Sequence, residues 1–591
     1  MADSDSTSGS GRPGPGSGAR TGIPGIAGGL LPRPRQLDLP GPAVPFRPPA
    51  VRLDASLPPQ GYRIDIGQDG LVMWVADDAG AFYGRATLEQ LRRASEPGTV
   101  PAGQVTDWPD LPVRGVMLDI SRDKVPTLAT LHALVDRLAS WKINQLQLYT
   151  EHTFPYAGHE DVWRDASPVP PEDILALDTF CRARHVELVP NQNTLGHFER
   201  WLRYPRYLPL AASPDGWRTR DGRQREPMTL DPASQHARDL VQDLLGQLLP
   251  WFSSRRVNAG LDEPWELGDG RAAEWSGWLA WLRGLPELTG RELLVWGDVL
   301  AGHAGLLGQV PPQVTVCEWG YEADHPFGAR AEALAAAGVP FYLCPGTSSW
   351  NSIIGRLSNA IGNCAAAADA AVRHGALGFL VTDWGDGGHL QYQPVAEAAL
   401  GYAAGVAWHA EGNRGMDLAQ VLDRVVFDDP AGQLGTAVVA LGDAYLALPA
   451  NPHNASGLTR HLWRPDEPVT EAAAGQTTLR DGFATARARI AAALEQLGRA
   501  RSARTDAGLV TAELRAGGEL TALLCDDAIA RLGGDGTLAG LPPGVRDGFA
   551  RAAADLAGRH RELWLARNRP GGLADSARRL DTLVQAYQQG T

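Results

Sequence analysis

Between about residues 111 and 410, short apolar runs alternate with polar loops and amphipathic helical stretches. The apolar runs predict strands at 115–120, 145–149, 187–190, 256–260, 293–296, 315–319, 341–344 and 379–382. Helical periodicity fits between them at 128–141, 171–184, 233–248, 272–282, 326–337 and 364–374. Eight such strands in about 300 residues predict an α/β fold of the (β/α)8 TIM-barrel class rather than an open doubly wound sheet. No GxGxxG fingerprint follows an early strand, as a dinucleotide-binding sheet would require.

The flanks read differently. Residues 1–35 are rich in Gly, Pro and Ser and predict a disordered tail. Over 46–110 an alternating run at 61–66, an Asp69-Gly70 turn, a second extended run at 71–75 and a short helix at 87–93 predict a small α/β domain. Pro101, Pro109 and Pro112 mark its end, and the barrel is expected over 111–410. From 411 to 591, long Ala/Leu/Arg/Glu stretches at 483–500, 507–524 and 547–567 predict a helical C-terminal region. That region is available for packing on the barrel or for homo-oligomer contacts. Its charges read as a solvated face, and no catalytic cluster stands out in it.

Composition narrows the function. A length of 591 residues with 44% hydrophobic content implies two to four domains with real cores. The net charge of -14, with Arg scattered among acids, argues against a nucleic-acid surface. Five dispersed cysteines without CxxC spacing suggest neither a disulfide framework nor a zinc site. No basic stretch followed by an apolar one opens the chain, and no segment approaches the roughly 20 apolar residues of a membrane span. A cytoplasmic location away from membranes is the expectation. Eighteen Trp against five Met changes the picture most, because indole rings suit the flat apolar faces of sugars.

A barrel of this class carries its active-site residues at the C-terminal ends of its strands. Those positions hold Arg114 and Asp119 on the first strand, Glu151-His152 after the second, and Asn191, Asn193 and His197 after the third. Asp262-Glu263 follow the fourth, Trp296 and Asp298 the fifth, and Glu318, Trp319 and Tyr321 the sixth. Trp350 and Asn351 lie beyond the seventh, and Asp383, Trp384, Asp386 and His389 beyond the eighth. The adjacent acids with Trp265 behind them suit cleavage of a glycosidic bond, which needs one protonated and one charged carboxyl. In an extended backbone the two would point to different sides. Glu263, with the longer arm, fits a general acid; Asp262 is left to act on a substrate group or a polar neighbour. His197 is placed to orient or share charge with the acid, and Arg114 to bind sugar hydroxyls. Arg122 and Asp123 read equally well as a surface pair. The spacing of Glu151, His152, Asp383, Asp386 and His389 matches no metal template, and no GxSxG elbow or P-loop is present. Neither a metal nor another cofactor is expected.

The segment Arg114-Gly115-Val116-Met117-Leu118-Asp119-Ile120-Ser121-Arg122 resembles the first barrel strand of the family 20 β-N-acetylhexosaminidases. Gly80-Ala81-Phe82-Tyr83-Gly84-Arg85-Ala86-Thr87-Leu88 resembles their small preceding domain, so the similarity runs from about residue 60 to 400. The resemblance implies an exo-acting, retaining hydrolase of terminal β-linked GlcNAc or GalNAc, in which the substrate's 2-acetamido oxygen attacks the anomeric carbon. It implies Glu263 as acid/base, Asp262 on the acetamido group, Arg114 on the outer hydroxyls, His197 as the third-strand His, and Trp296 and Trp384 as pocket walls. Trp319, Tyr321, Trp350, Asp383 and Glu151 complete the expected sugar-binding set. Three places depart from the family pattern: Asn258 to Leu261 replace His-x-Gly-Gly, Glu151-His152 stand where an Asp is usual, and Cys344-Pro345-Gly346-Thr347 replaces a Tyr-x-Asp pair. Two other readings stay open here. One is a barrel glycosidase for a sugar without the acetamido group, using Glu151, Glu318 or Asp383 as nucleophile about 5 to 5.5 Å from the acid. The other is a catalytically inactive sugar-binding protein.

Overall fold

Eight parallel strands close into a barrel in chain order: Val113–Asp119, Gln145–Thr150, Glu187–Gln192, Arg256–Asn258, Glu292–Trp296, Val314–Trp319, Phe341–Cys344 and Gly378–Asp383. They are seen in a computed structural model that describes residues 27–590, apart from 220–221, 472 and 475–476. Both faces of these strands are buried, between the barrel interior and a ring of helices, which is why they read as unbroken apolar runs rather than alternating ones. The eighth strand closes on the first, in register from Gly378 opposite Val113 to Asp383 opposite Leu118.

Helices Leu128–Ser140, Pro171–Arg182, Gln235–Leu248, Ala272–Arg283 and Phe327–Ala336 lie close to their expected positions. Leu357–His374 starts earlier than the expected residue 364. Its first turns carry buried Asn359 and Asn363, which bond the carbonyls of Tyr321, Gly320 and Glu322 and so imitate a polar loop in sequence. The last barrel helix, Gln393–Trp408, has no counterpart in the sequence reading. Residues on every side of it are buried and, Glu397 apart, almost all apolar, so it shows no amphipathic stripe.

The preceding domain is a five-stranded sheet in the order Gln36–Asp38, Gly103–Asp107, Tyr62–Gly67, Gly70–Val75, Ala50–Leu53, with helix Asp78–Arg93 packed against it. The helix begins well before the expected residue 87. Asp77 caps it by accepting the Gly80 N–H at 2.7 Å, and Gly80 is needed because a Cβ there would lie 2.3 Å from the Gly61 carbonyl oxygen. A helix that needs glycine for close packing looks broken in sequence. The first 26 residues of the expected tail lie outside the described residues. From 27 onward the chain is packed, not loose: Leu30 and Leu31 are buried, and the Leu31, Arg33 and Arg35 N–H groups donate to Gln90, Asn413 and Asp107.

Asp107 is the hub between this domain and the barrel. Its carboxylate accepts hydrogen bonds from the Tyr62 hydroxyl at 2.7 Å, Lys142 Nζ at 2.8 Å and Trp408 Nε1 at 2.9 Å. Lys142 and Asp107 are both fully buried. Arg114 belongs to the same junction. Its guanidinium donates to the carbonyls of Lys142 and Leu111 and to Gln60, and it stacks 4.8 Å from the Trp408 ring. It therefore sits at the N-terminal end of the barrel, opposite the mouth where it was expected to bind sugar.

Helices Leu479–Leu497, Ala507–Leu532, Pro543–Arg567 and Leu573–Gln589 form the C-terminal region. It joins the barrel through a partly buried series of ion pairs, Arg137–Glu397–Arg504–Asp506–Arg567–Glu513, each between 2.6 and 3.0 Å. Several of the charges expected on a solvated face are thus inside the protein. No described helix is long and apolar enough to cross a membrane.

Removing one member of a buried ion pair leaves the other charge uncompensated. Lys142→Met is expected to destabilise the folded chain by about 3 to 5 kcal/mol, measured by urea unfolding followed by tryptophan fluorescence.

Candidate active site

The fourth strand ends in an irregular turn that presents two carboxyls to one place. Gly260, Leu261 and Glu263 take left-handed backbone angles of φ 72°, 74° and 49°. Gly260 is obligatory, since a Cβ would fall 2.4 Å from Asn193 Oδ1. Asn258 Oδ1 accepts the Gly260 N–H at 3.0 Å, while its amide donates to Gln147 at 3.1 Å, so Asn258 is built into the turn. The Trp275 indole N–H donates to the Leu261 carbonyl at 2.9 Å. Because the backbone is not extended at Glu263, Asp262 and Glu263 line the same cavity instead of pointing apart.

That cavity, about 590 Å³, opens at the C-terminal ends of the barrel strands. Arg122, His197, Asp262, Glu263, Trp384 and Asp386 form its inner part. Trp319 and Tyr321 stack on one another at 5.1 Å and 18° along one side. Trp384 donates its indole N–H to the Tyr321 hydroxyl at 2.7 Å, which fixes the two rings in place.

Asp262 accepts from Asn193 Nδ2 at 2.8 Å and faces His197 Nε2 at 3.1 Å. Burial pushes its carboxyl up, but the adjacent imidazole and these hydrogen bonds outweigh it and hold Asp262 below its ordinary value. For His197 burial and Arg122 act downward, yet Asp262 carries it up to about 10. Glu263 lies 3.6 Å from the same imidazole and is raised, first by burial and then by the Asp262 charge. A carboxyl held below its ordinary value stands beside one raised above it.

Arg122, not Arg114, is the arginine of this site. Its guanidinium lies 3.2 Å from Asp119, 3.5 Å from Glu151 and 3.6 Å from Asp386, and it covers the faces of Tyr149 and Trp384 at 4.9 and 5.0 Å. In sequence it stands three residues beyond Asp119, inside the block that carried the family resemblance. That spacing was the available signal. Glu151 lies beneath Arg122, bonded by the Tyr149 hydroxyl at 2.9 Å, and burial raises it to about 7. It does not line the cavity.

Other expected residues fall elsewhere. Trp296 and Trp350 are almost wholly buried behind the pocket, 6.0 Å from Trp384 and 5.1 Å from Tyr321 respectively. They support its walls without facing the cavity. Asp383 turns away from the mouth, accepting from Thr347 and Ser349 at 2.7 and 2.6 Å beside an internal cavity that holds Lys124 and His389. Glu318 faces His325 and Arg330, at 3.6 and 3.8 Å.

The rim contains residues that sequence reading missed. Glu322, Asp324 and His325 follow the sixth strand, and His453 and Asn454 arrive from beyond the barrel. The Asn454 N–H donates to Glu322 at 2.6 Å, and Glu322 is gripped by Arg356 at 2.9 and 3.0 Å. Packing alone brings His453 and Asn454 here; no local pattern announces it. Among the described residues no cluster of His, Cys, Asp and Glu is arranged to hold a metal ion.

A (β/α)8 barrel with an acid pair, an arginine and an aromatic wall at its C-terminal mouth is the class that fold and site define. Residues 31–108 match the model of glycosyl hydrolase family 20, domain 2. The chain is 28% identical over 234 residues to a beta-hexosaminidase of Akkermansia muciniphila, spanning 36% of this chain and 47% of that protein. It is 26% identical over 233 residues to human hexosaminidase D, spanning 39% and 43% respectively. The chain thus spans about half the length of the curated relatives it matches or less. Among solved structures, the family 20 exo beta-N-acetylglucosaminidase of Vibrio harveyi superposes with a TM-score of 0.55 at 15% identity, covering 70% of this chain and 78% of that one. The family 20 beta-N-acetylhexosaminidase of Streptomyces coelicolor A3(2) superposes with a TM-score of 0.52 at 19% identity, covering 71% and 96%. The chain is thus similar to family 20 proteins in its small domain and shares their barrel fold.

With Asp262→Asn, burial and Arg122 act on His197 without the carboxylate that opposes them. Its titration, followed by imidazole NMR, is expected to fall from about 10 to below the ordinary histidine value.

Proposed function

We propose that this protein is an exo-acting, retaining β-N-acetylhexosaminidase that removes terminal β-linked GlcNAc or GalNAc with the help of the substrate's own acetamido group. The observation that carries this reading is the placement of lowered Asp262 and raised Glu263 on one cavity, both within 3.6 Å of the His197 imidazole. The acetamido oxygen attacks the anomeric carbon while Glu263 gives its proton to the departing glycosidic oxygen, and the C–O bond breaks. Asp262 accepts the acetamido N–H, so positive charge developing on the oxazolinium ring is stabilised by a carboxylate that remains ionised. Glu263, now charged, takes a proton from water as that water opens the ring, restoring both groups and retaining configuration.

Arg122 and Asp386 are the groups for the sugar's outer hydroxyls, and Trp319, Tyr321 and Trp384 for its apolar faces. The reading with a protein nucleophile loses support because Glu151, Glu318 and Asp383 all point elsewhere.

Activity is expected on p-nitrophenyl β-GlcNAc and β-GalNAc and not on the matching glucoside and galactoside; cleavage of the plain glycosides would refute the acetamido mechanism. Glu263→Gln should lower the rate by about 10²- to 10⁴-fold. The rate should fall on the alkaline side as raised Glu263 loses its proton, and on the acid side only below the ordinary Asp range, where lowered Asp262 gains one. Arg122→Ala should weaken binding of N-acetylglucosamine in calorimetry and also lower the melting temperature, because it strips buried Asp119 and Glu151 of their cation. Arg114→Ala should lower the melting temperature and leave that binding little changed.

A further inference from the structure

Asp298 has no part in the mechanism above, yet it touches the acid's main chain. It follows the fifth strand, and its Oδ2 accepts the Glu263 N–H at 2.9 Å. Its other oxygen, Oδ1, is shut off from solvent and has no hydrogen-bond partner among the described residues. The carboxyl is pushed up to about 7, chiefly by burial and then by the Asp262 charge. A third carboxyl pressed against Asp262 and Glu263 is a costly placement.

What Asp298 holds is the strained point of the turn. Glu263 carries a side chain at φ 49°, where such residues are uncommon, and Pro264 behind it narrows its conformations further. On the other side, the Glu263 carbonyl accepts the Trp265 N–H at 2.7 Å. Both main-chain polar groups of Glu263 are thereby tied. Released from this turn toward an extended backbone, Glu263 would swing away from the side that Asp262 faces.

We propose that Asp298 is the positioning residue for the acid: by accepting the Glu263 N–H it fixes the left-handed turn that aims the Glu263 carboxyl into the pocket beside Asp262. This inference rests on Glu263 being the proton donor. The interaction used is acceptance of an N–H, so a neutral acceptor of the same shape should preserve it.

The test uses the whole chain and two substrates that differ in their need for a proton. N,N'-diacetylchitobiose departs as a sugar hydroxyl and depends on the acid; p-nitrophenyl β-GlcNAc departs as a stabilised phenolate and depends on it little. The readout is the ratio of the losses in kcat/KM on the two substrates for Glu263→Gln, Asp298→Ala, Asp298→Leu and Asp298→Asn. Glu263→Gln is expected to lose far more on the disaccharide. Asp298→Ala should share that signature, with a loss about 10-fold or more greater on the disaccharide than on the aryl glycoside. Asp298→Leu supplies the same comparison if the alanine variant does not fold. Asp298→Asn, whose amide oxygen still accepts the N–H, should restore the native ratio to within about threefold. Equal losses on both substrates in Asp298→Ala and Asp298→Leu, beside an unequal loss in Glu263→Gln, would overturn the role of Asp298 and leave the acid in place. An unchanged ratio in Glu263→Gln would overturn the assignment of the acid and the positioning role with it.

Discussion

The mouth of the barrel depends on the eighth strand closing against the first. That seam runs in register to Asp383 opposite Leu118, and Asp119 fastens its end. One Asp119 oxygen accepts the N–H groups of Ser121 and Arg122 at 2.9 and 3.1 Å, the other the N–H of Gly385 at 2.9 Å and the Arg122 guanidinium. A single buried carboxylate thus shapes the loops after both strands. Arg122 is laid against Trp384 and Asp386 because of it.

The charges at the mouth form a connected problem. Asp262, Glu263, Asp386 and Glu151 share two cations, Arg122 and His197, and Asp298 stands against Asp262 and Glu263. Contact decides which acids are lowered and which are raised. Asp262 has a direct imidazole partner and an amide donor, and is lowered. Glu263, Asp298 and Glu151 have weaker partners to set against the cost of burial, and are raised. The division of labour proposed for Glu263 and Asp262 follows from that competition, not from the residue types alone.

The C-terminal helices take part in this economy. Their arginines and acids meet Arg137 and Glu397 of the barrel in a partly buried ionic chain, and Glu513 and Arg567 wall the cavity that contains Lys124. Lys124 is brought down to about 8 by burial there. The segment leading into these helices also delivers His453 and Asn454 to the substrate-side rim. Barrel and C-terminal region share both a core and a pocket.

The barrel, its strand order and the Asp262-Glu263 pair were legible in sequence because they are local: a buried parallel strand is a short apolar run, and a strand end is where it stops. Elements whose local signal is masked were misread. Gln393–Trp408 is buried on every side and, Glu397 apart, almost all apolar, and the helix from Asp78 is interrupted by glycines that packing demands. Which arginine faces the pocket was likewise beyond a local reading. Arg114 and Arg122 lie on the same segment, and only the barrel's two ends send one into the junction with the small domain and the other to the mouth. Facing aromatics such as Trp296 and Trp384 look alike as strand-end residues, yet depth alone makes one a support and the other a wall. The chemistry available to this chain was written in its residue types and their spacing. Their direction, depth and ionisation were decided by contacts between segments hundreds of residues apart, which no local pattern encodes.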